Sequence, residues 1–322
     1  MDTAPRSAVV VNPVKVPDLG ELRRIITEAL AAAGWPEPMW RETTVEDPGA
    51  GQAARAVRDG AEVVFVCGGD GTVMACVSAL AGTDVALAVL PAGTGNLLAA
   101  NLGLGGDLAT GIEVALQGGR RRIDVGCVGE QSFAVMAGMG FDAQMLDATS
   151  ETAKKHVGWL AYVAGAVRHL RDRPMRVRIS LDGGPAFTRR PRTVIVGNVG
   201  RLQGGMRLLS AAEPDDGLLD VAVLSPRTLR HWLALAWGVL RRREAVARME
   251  TFTASTVEIR SNRPQPRQLD GDLIEPGDEL RVTVRPRALL LCVPRPANDP
   301  DLAHDAGAVS RDADEIRDVT RA

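Results

Sequence analysis

Six consecutive residues, Cys67-Gly68-Gly69-Asp70-Gly71-Thr72, follow the apolar stretch 62–66 and combine the residue types that a phosphate-binding turn requires. Glycines let backbone amides approach an anion closely, and Asp70 is placed to face a metal ion. An ordinary turn after a strand has the same composition. Thr72 and the helical run 73–80 favour the phosphate reading, because the turn then opens on a helix N-terminus with its dipole and free amides. A second turn, Pro91-Ala92-Gly93-Thr94-Gly95-Asn96, follows the apolar run 85–90. Thr94 brings a hydroxyl between two glycines, and Asn96 brings a donor and an acceptor, or alternatively a cap for a helix over 97–102. A third element is Val11-Asn12-Pro13 at the end of the first apolar run, where Pro13 removes an amide and Asn12 can offer its side chain to a ligand.

Two acidic turns complete the chemistry-bearing residues. In Leu269-Asp270-Gly271-Asp272, Gly271 marks a tight β-turn that brings two carboxylates to one place, the alternative being a solvated hairpin. In Glu213-Pro214-Asp215-Asp216-Gly217-Leu218, hard oxygen ligands suit magnesium, the alternative being an exposed turn between strands. Carboxylates with magnesium fit phosphoryl transfer, which needs charge neutralisation on the donor and a base for the attacking hydroxyl. His156, His169, His231 and His304 are scattered and form no HExxH pair, which sets zinc chemistry aside. There is also no GxxxxGK[ST], no GxGxxG and no HRD with DFG, so the P-loop, dinucleotide and protein-kinase designs do not apply.

The elements that must position these residues change character along the chain. Up to about residue 125, short β-rich runs (8–11, 39–44, 63–67, 85–90) alternate with helical patterns (19–33, 51–59, 73–80), with Gly34 and Gly60 as helix stops. This is the texture of a doubly wound parallel sheet, in which ligands bind at the carboxyl ends of strands. After Arg120 the runs at 123–128, 132–136, 176–181, 193–198, 218–224, 256–260, 265–269, 279–284 and 288–292 predict a mostly antiparallel β domain. Helical patterns interrupt it near 152–170 and 226–246. The expected division is an α/β nucleotide domain over 1–125, to which the last strand can return, a β-sandwich over 126–296, and an acidic, disordered tail over 297–322.

At 322 residues and 45% hydrophobic composition the chain can bury the cores of two domains. Its formal charge of −2 conceals a tail with seven acidic and three Arg residues, leaving the rest slightly basic. No apolar run is long enough to span a bilayer and no signal segment opens the chain, so the expected compartment is the cytoplasm, with peripheral contact at the inner face of the membrane. Cys67, Cys76, Cys127 and Cys292 have no CxxC spacing and are expected as buried free thiols. Arg120–Arg122 and Arg241–Arg243 could meet anionic headgroups or form a solvated face; the Trp232, Leu233, Leu235, Trp237 and Leu240 stretch could dock at a bilayer or pack in the core.

The ordered set VVNP, GGDGT, PAGTGNLLAANLG, Ile123-Asp124-Val125-Gly126, Gly140-Phe141-Asp142-Ala143, Asp216-Gly217-Leu218-Leu219-Asp220 and LDGD resembles the diacylglycerol kinase catalytic-domain family. The resemblance runs from about Ala8 to Pro294; the family is related to sphingosine kinases and more distantly to NAD kinases. It implies an N-terminal α/β nucleotide domain, a C-terminal β-sandwich, and transfer of the ATP γ-phosphate to a lipid hydroxyl, foremost diacylglycerol, giving phosphatidic acid. Asn12, Pro13, Thr44, Gly68, Gly69, Asp70, Gly71, Thr72, Gly93, Thr94 and Asn96 would form the ATP site by this resemblance. Asp124 would join Asp70, Asp270 and Asp272 in a carboxylate network around catalytic Mg2+, and Glu213, Asp216 and the Leu218 carbonyl would hold a second, structural Mg2+.

Two departures stand out. The family has Glu where this chain has Asp272, one methylene shorter, so Asp272 is favoured as base by position with Asp270 competing. Glu213 stands where relatives often carry a hydroxyl residue. The expected partner is a membrane lipid met at the bilayer surface, with no nucleic acid and scope for a homodimer through an edge strand. The rival readings are a sphingoid-base or NAD kinase and, because of the shortened Asp272, a nucleotide-binding regulatory protein without catalysis.

Overall fold

The computed structural model describes residues 4–91, 97–101, 107–140, 174–199, 209, 212–226, 228, 230–231 and 248–295. The Gly93, Thr94 and Asn96 turn, the helical pattern at 152–170, nearly all of that at 226–246, the Trp232–Leu240 stretch, Arg241–Arg243 and the tail from Ala297 lie outside the described residues.

The N-terminal half alternates strand and helix. Strand β1 (Ser7–Val11) is followed by α1 (Leu19–Ala32), β2 (Met39–Glu42), α2 (Ala50–Arg58), β3 (Val63–Gly68), α3 (Asp70–Leu80) and β4 (Ala86–Pro91). Two further helices, α4 (Leu97–Asn101) and α5 (Leu108–Gln117), precede the C-terminal half. Helix α5 was not anticipated, although Asp107 caps it by accepting the Thr110 amide at 2.8 Å. All strand pairs here are parallel, in the order β4-β3-β1-β2. β1 and β3 are buried at every residue, as apolar strands covered by helices on both faces must be.

The C-terminal half is antiparallel: β5 (Gly119–Val128), β6 (Gln131–Phe133), β7 (Met136–Gly140), β8 (Val177–Leu181), β9 (Phe187–Arg189), β10 (Thr193–Gly197), β11 (Leu219–Leu224), β12 (Met249–Ala254), β13 (Thr256–Leu269) and β14 (Asp272–Val293). Alternate residues such as Val177 and Ile179, Val194 and Val196, Val221 and Val223, Val257 and Ile259, and Leu280 and Val282 face one shared core, as the period of two requires. Phe187 and Phe252 meet across it, with ring centroids 5.1 Å apart.

The four strands expected over 256–292 are two long ones. β13 and β14 stay paired through register shifts after Arg260 and after Gln265. β14 then continues as a partner of β5 and lies parallel to β4, with Leu290 opposite Ala86 and Leu291 opposite Leu87. The two halves therefore share one sheet. None of the described helices is long and apolar enough to cross a membrane. Cys67, Cys76 and Cys292 are buried free thiols; Cys127 is free and half-buried.

The arginine cluster Arg120–Arg122 is a correction: it lies within β5 and is committed to the protein. Arg120 donates to Ala115 O at 2.8 Å, Arg121 makes a bidentate pair with Asp215 at 3.0 and 3.1 Å, and Arg122 pairs with Asp84.

Candidate active site

The first cluster forms where β1 and β3 end side by side. The Asn12 amide donates to Cys67 O at 2.9 Å, and Asn12 Nδ2 reaches Thr72 Oγ1 at 3.4 Å. Asn12 Oδ1 accepts the Val14 amide at 3.1 Å, so the Pro13 turn holds the side chain against the next helix. That helix, α3, starts at Asp70 rather than at the expected Val73. Gly69 is extended and acts as N-cap, so Asp70, Gly71 and Thr72 are the first helical turn.

Gly69, at the N-cap, brings no side chain to cap this end of α3. Among the described residues, a Cβ placed on Gly69 would meet nothing within 4 Å, so on their side the helix N-terminus, with its partial positive charge, is open. Gly68, by contrast, is pressed against Thr72, whose Cβ lies 2.7 Å from where a side chain would begin. Thr44 stands on the neighbouring loop, exposed; its Oγ1 accepts the Asp47 amide at 3.1 Å. This loop rests on α3, since a Cβ on Gly49 would lie 3.2 Å from Thr72 O.

The second element is the tip of the β13–β14 hairpin. Asp270 and Gly271 have φ +48° and +96°, the left-handed pair of a two-residue hairpin turn, with Leu269 opposite Asp272. Asp270 is 2% exposed. Its Oδ2 accepts the Ala134 amide at 2.8 Å, and its Oδ1 accepts those of Val135 at 3.0 Å and Met136 at 2.6 Å. Burial pushes its carboxyl up to about 7 against the pull of these three amides, and the charge of Asp70 adds to the rise.

Asp70 is therefore close to Asp270, and other contacts dock the hairpin on the helix ends. Asp70 Oδ1 accepts the Leu97 amide at 2.7 Å, and a Cβ on Gly271 would lie 3.7 Å from Leu97 Cδ1. A Cβ on Gly71 would lie 3.3 Å from Asp272 Oδ2. The two carboxylates of the Asp-Gly-Asp run thus have opposite surroundings: Asp270 is buried among donors, and Asp272 is exposed beside the first turn of α3.

Asp124 sits where the acidic turn meets β5 and β14. It is fully buried and accepts the Gly217 amide at 2.7 Å and the Arg287 amide at 2.6 Å. Its own amide donates to Pro214 O at 2.6 Å. Asp124 thereby fastens the acidic turn to the irregular pairing of β5 with β14 between Arg285 and Leu289. Burial raises its pKa, the two amides lower it, and the acidic neighbours acting on it are Asp216 and Asp215.

In the turn itself Glu213, Asp216 and Leu218 are exposed, and the Leu218 amide donates to Asp216 Oδ1 at 2.9 Å. Asp220, which the sequence reading passed over as a site residue, is pushed up to about 6 by burial and by the charges of Asp216 and Glu213. Three carboxylates thus share a region whose donor atoms are the hard oxygens that magnesium prefers. Among the described residues, however, no three His, Cys, Asp or Glu side chains converge as a formed metal site. Asn198 and Gln268 were also overlooked; Gln268 Oε1 accepts the Gly271 amide at 2.8 Å and braces the hairpin turn.

This fold and these clusters define the class. The diacylglycerol kinase catalytic domain family matches residues 6–128, and the YegS C-terminal NAD kinase beta sandwich-like domain matches 135–293. The chain belongs to the family of diacylglycerol kinase-type lipid kinases. It is 34% identical over 292 residues to a Pseudomonas fluorescens protein named "Probable lipid kinase YegS-like", covering 86% of this chain and 92% of that one. It is 32% identical over 176 residues to a Mycobacterium tuberculosis diacylglycerol kinase, covering 53% and 57%.

Among solved structures, a diacylglycerol kinase from Bacillus anthracis shares the fold at a TM-score of 0.68, with 18% identity and coverage of 91% of this chain and 98% of that one. An NAD kinase from Archaeoglobus fulgidus in complex with ATP reaches 0.50, with 13% identity and coverage of 89% and 93%.

Proposed function

We propose that this kinase transfers the γ-phosphate of ATP to a lipid hydroxyl, with diacylglycerol as acceptor and phosphatidic acid as product. One observation carries the reading: in a chain of this family, the N-terminus of α3, open above Gly69 among the described residues, stands beside the exposed carboxylate of Asp272. The first offers amides and positive potential to phosphate oxygens. The second offers a base to the alcohol that attacks the phosphate.

In this reading the amides of the first turn of α3 receive the phosphate chain while Asn12 and Thr72 orient it. Asp272 takes the proton from the acceptor hydroxyl. Asp270 is buried with three amides on its carboxylate, away from the exposed side of the turn, so in this reading it holds the hairpin and leaves the proton step to Asp272. Magnesium bound with ATP would neutralise phosphate charge, and Glu213, Asp216 and the Leu218 carbonyl would hold a structural ion. The acceptor is met at the bilayer surface.

The direct test is magnesium-dependent transfer from labelled ATP to a panel of diacylglycerol, sphingosine, ceramide, phosphatidylglycerol and NAD. Labelled phosphatidic acid is expected. Label only on NAD or sphingosine, or ATP binding without any transfer, would overturn the reading.

Gly69→Ala probes the phosphate position separately. Among the described residues the added methyl has open space, and the backbone angles are ordinary, so the thermal midpoint is expected to stay unchanged. The KM for ATP is expected to rise about tenfold, equivalent to about 1.4 kcal/mol, because the methyl occupies the space assigned to phosphate. An unchanged KM would move the nucleotide away from this turn.

A further inference from the structure

Asn198, directly after β10, is 1% exposed and belongs to neither acidic cluster. Its Nδ2 donates to Asp124 O at 2.7 Å and to Ala134 O at 3.0 Å. Its backbone amide donates to Val135 O at 2.8 Å. Two carbonyl acceptors facing one atom determine the amide's orientation, because the flipped form would set its oxygen against both. On the other side, Oδ1 is buried with no partner among the described residues. A buried acceptor left unpaired costs about 1–3 kcal/mol, and a leucine of similar volume would avoid that cost. Packing therefore does not explain the amide; its two donations do.

Those donations join residues that already have partners of consequence. Ala134 and Val135 supply two of the three amides that hold the Asp270 carboxylate. Asp124 fastens the Gly217 turn and the Arg287 amide. The side chain of Asn198 is one bond from each group, and its backbone grips the middle of the 134–136 segment.

We infer that Asn198 is a positioning residue that keeps the amide cradle of Asp270 in register with Asp124, and so sets the hairpin that presents Asp272. Its effect on transfer rests on the reading of Asp272 as base; the mechanical link does not. Without Nδ2, the 134–136 segment loses its side-chain tie to Asp124, and its amides part from Asp270 more often. The hairpin can then shift relative to the helix ends it docks on.

Asn198→Leu removes both donations while keeping volume. Amide hydrogen exchange at 134–136 is expected to quicken about tenfold, with β1 and β3 unchanged, because the opening is local. The kcat for transfer is expected to fall about tenfold to a hundredfold with the KM for ATP within about twofold, the signature of misplacement at the reacting centre and not of lost nucleotide binding. Asn198→Ser keeps one short donor and is the milder second variant, expected between the two. Exchange at 134–136 that stays at the wild-type rate in both variants, or that quickens equally across the whole protein, would overturn the inference. The exchange measurement needs no substrate, so it gives its answer even if wild-type protein phosphorylates no lipid.

Discussion

Asp272→Asn is expected to lower kcat for lipid phosphorylation by about 10²–10⁴-fold, the usual contribution of a positioned base, with the KM for ATP changed by less than about threefold. The substitution preserves shape next to Gly71 and removes the negative charge and with it the capacity to take a proton. Because Asp272 is exposed, the urea midpoint is expected to move by no more than the small amount usual for a surface substitution. Asp272→Glu restores a carboxylate on a longer arm and is expected to retain most of the rate. Transfer from labelled ATP with nucleotide titration measures both quantities. Near-wild-type turnover in Asp272→Asn would remove this residue from the proton step.

Asp270→Ala is expected to show the opposite division, with the loss falling first on stability. It leaves the amides of Ala134, Val135 and Met136 without their acceptor in a buried place. At about 1–3 kcal/mol for each buried group left unpaired, and with partial relaxation, a loss of about 3 kcal/mol or more is expected. Asp270→Asn is expected to cost less. Its oxygen can still serve Val135 and Met136 from the Oδ1 position, while its amino group opposes only the Ala134 amide. Urea denaturation followed by circular dichroism separates the variants. A stable Asp270→Ala protein that has lost only turnover would instead identify Asp270 as the base.

The strand, turn and helix around residues 68–72 were legible because they are neighbours in the chain. An apolar strand, a glycine turn and a helix start follow one another within Val63–Leu80, and only the first residue of the helix was misjudged. The exposed and buried roles within Asp270-Gly271-Asp272 were not legible. They depend on amides of Ala134, Val135 and Met136, more than 130 residues away in sequence. The partners of Asp124 were hidden for the same reason: Gly217 and Arg287 lie 93 and 163 residues distant.

The long hairpin was read as four pieces because Pro264, Pro266, Gly277 and Pro286 interrupt the apolar pattern that marks strands. The fold absorbs these interruptions as register shifts and an irregularity after Arg285. Asn198 had no local signature at all, since an asparagine at a strand end is ordinary. Its meaning comes from Asp124 and Ala134, 74 and 64 residues earlier.

Strand β14 begins at the candidate base and ends hydrogen-bonded to β4, whose residues from Ala86 to Leu90 are all buried. Severed from its C-terminal half, the nucleotide half would bare β4 as an apolar, unprotected edge, the kind of surface on which chains aggregate. The two halves are therefore not interchangeable cassettes. A chimera that grafts another C-terminal half onto this one must also bring a final strand cut to fit beside Ala86 and Leu87, so the two halves are inherited together.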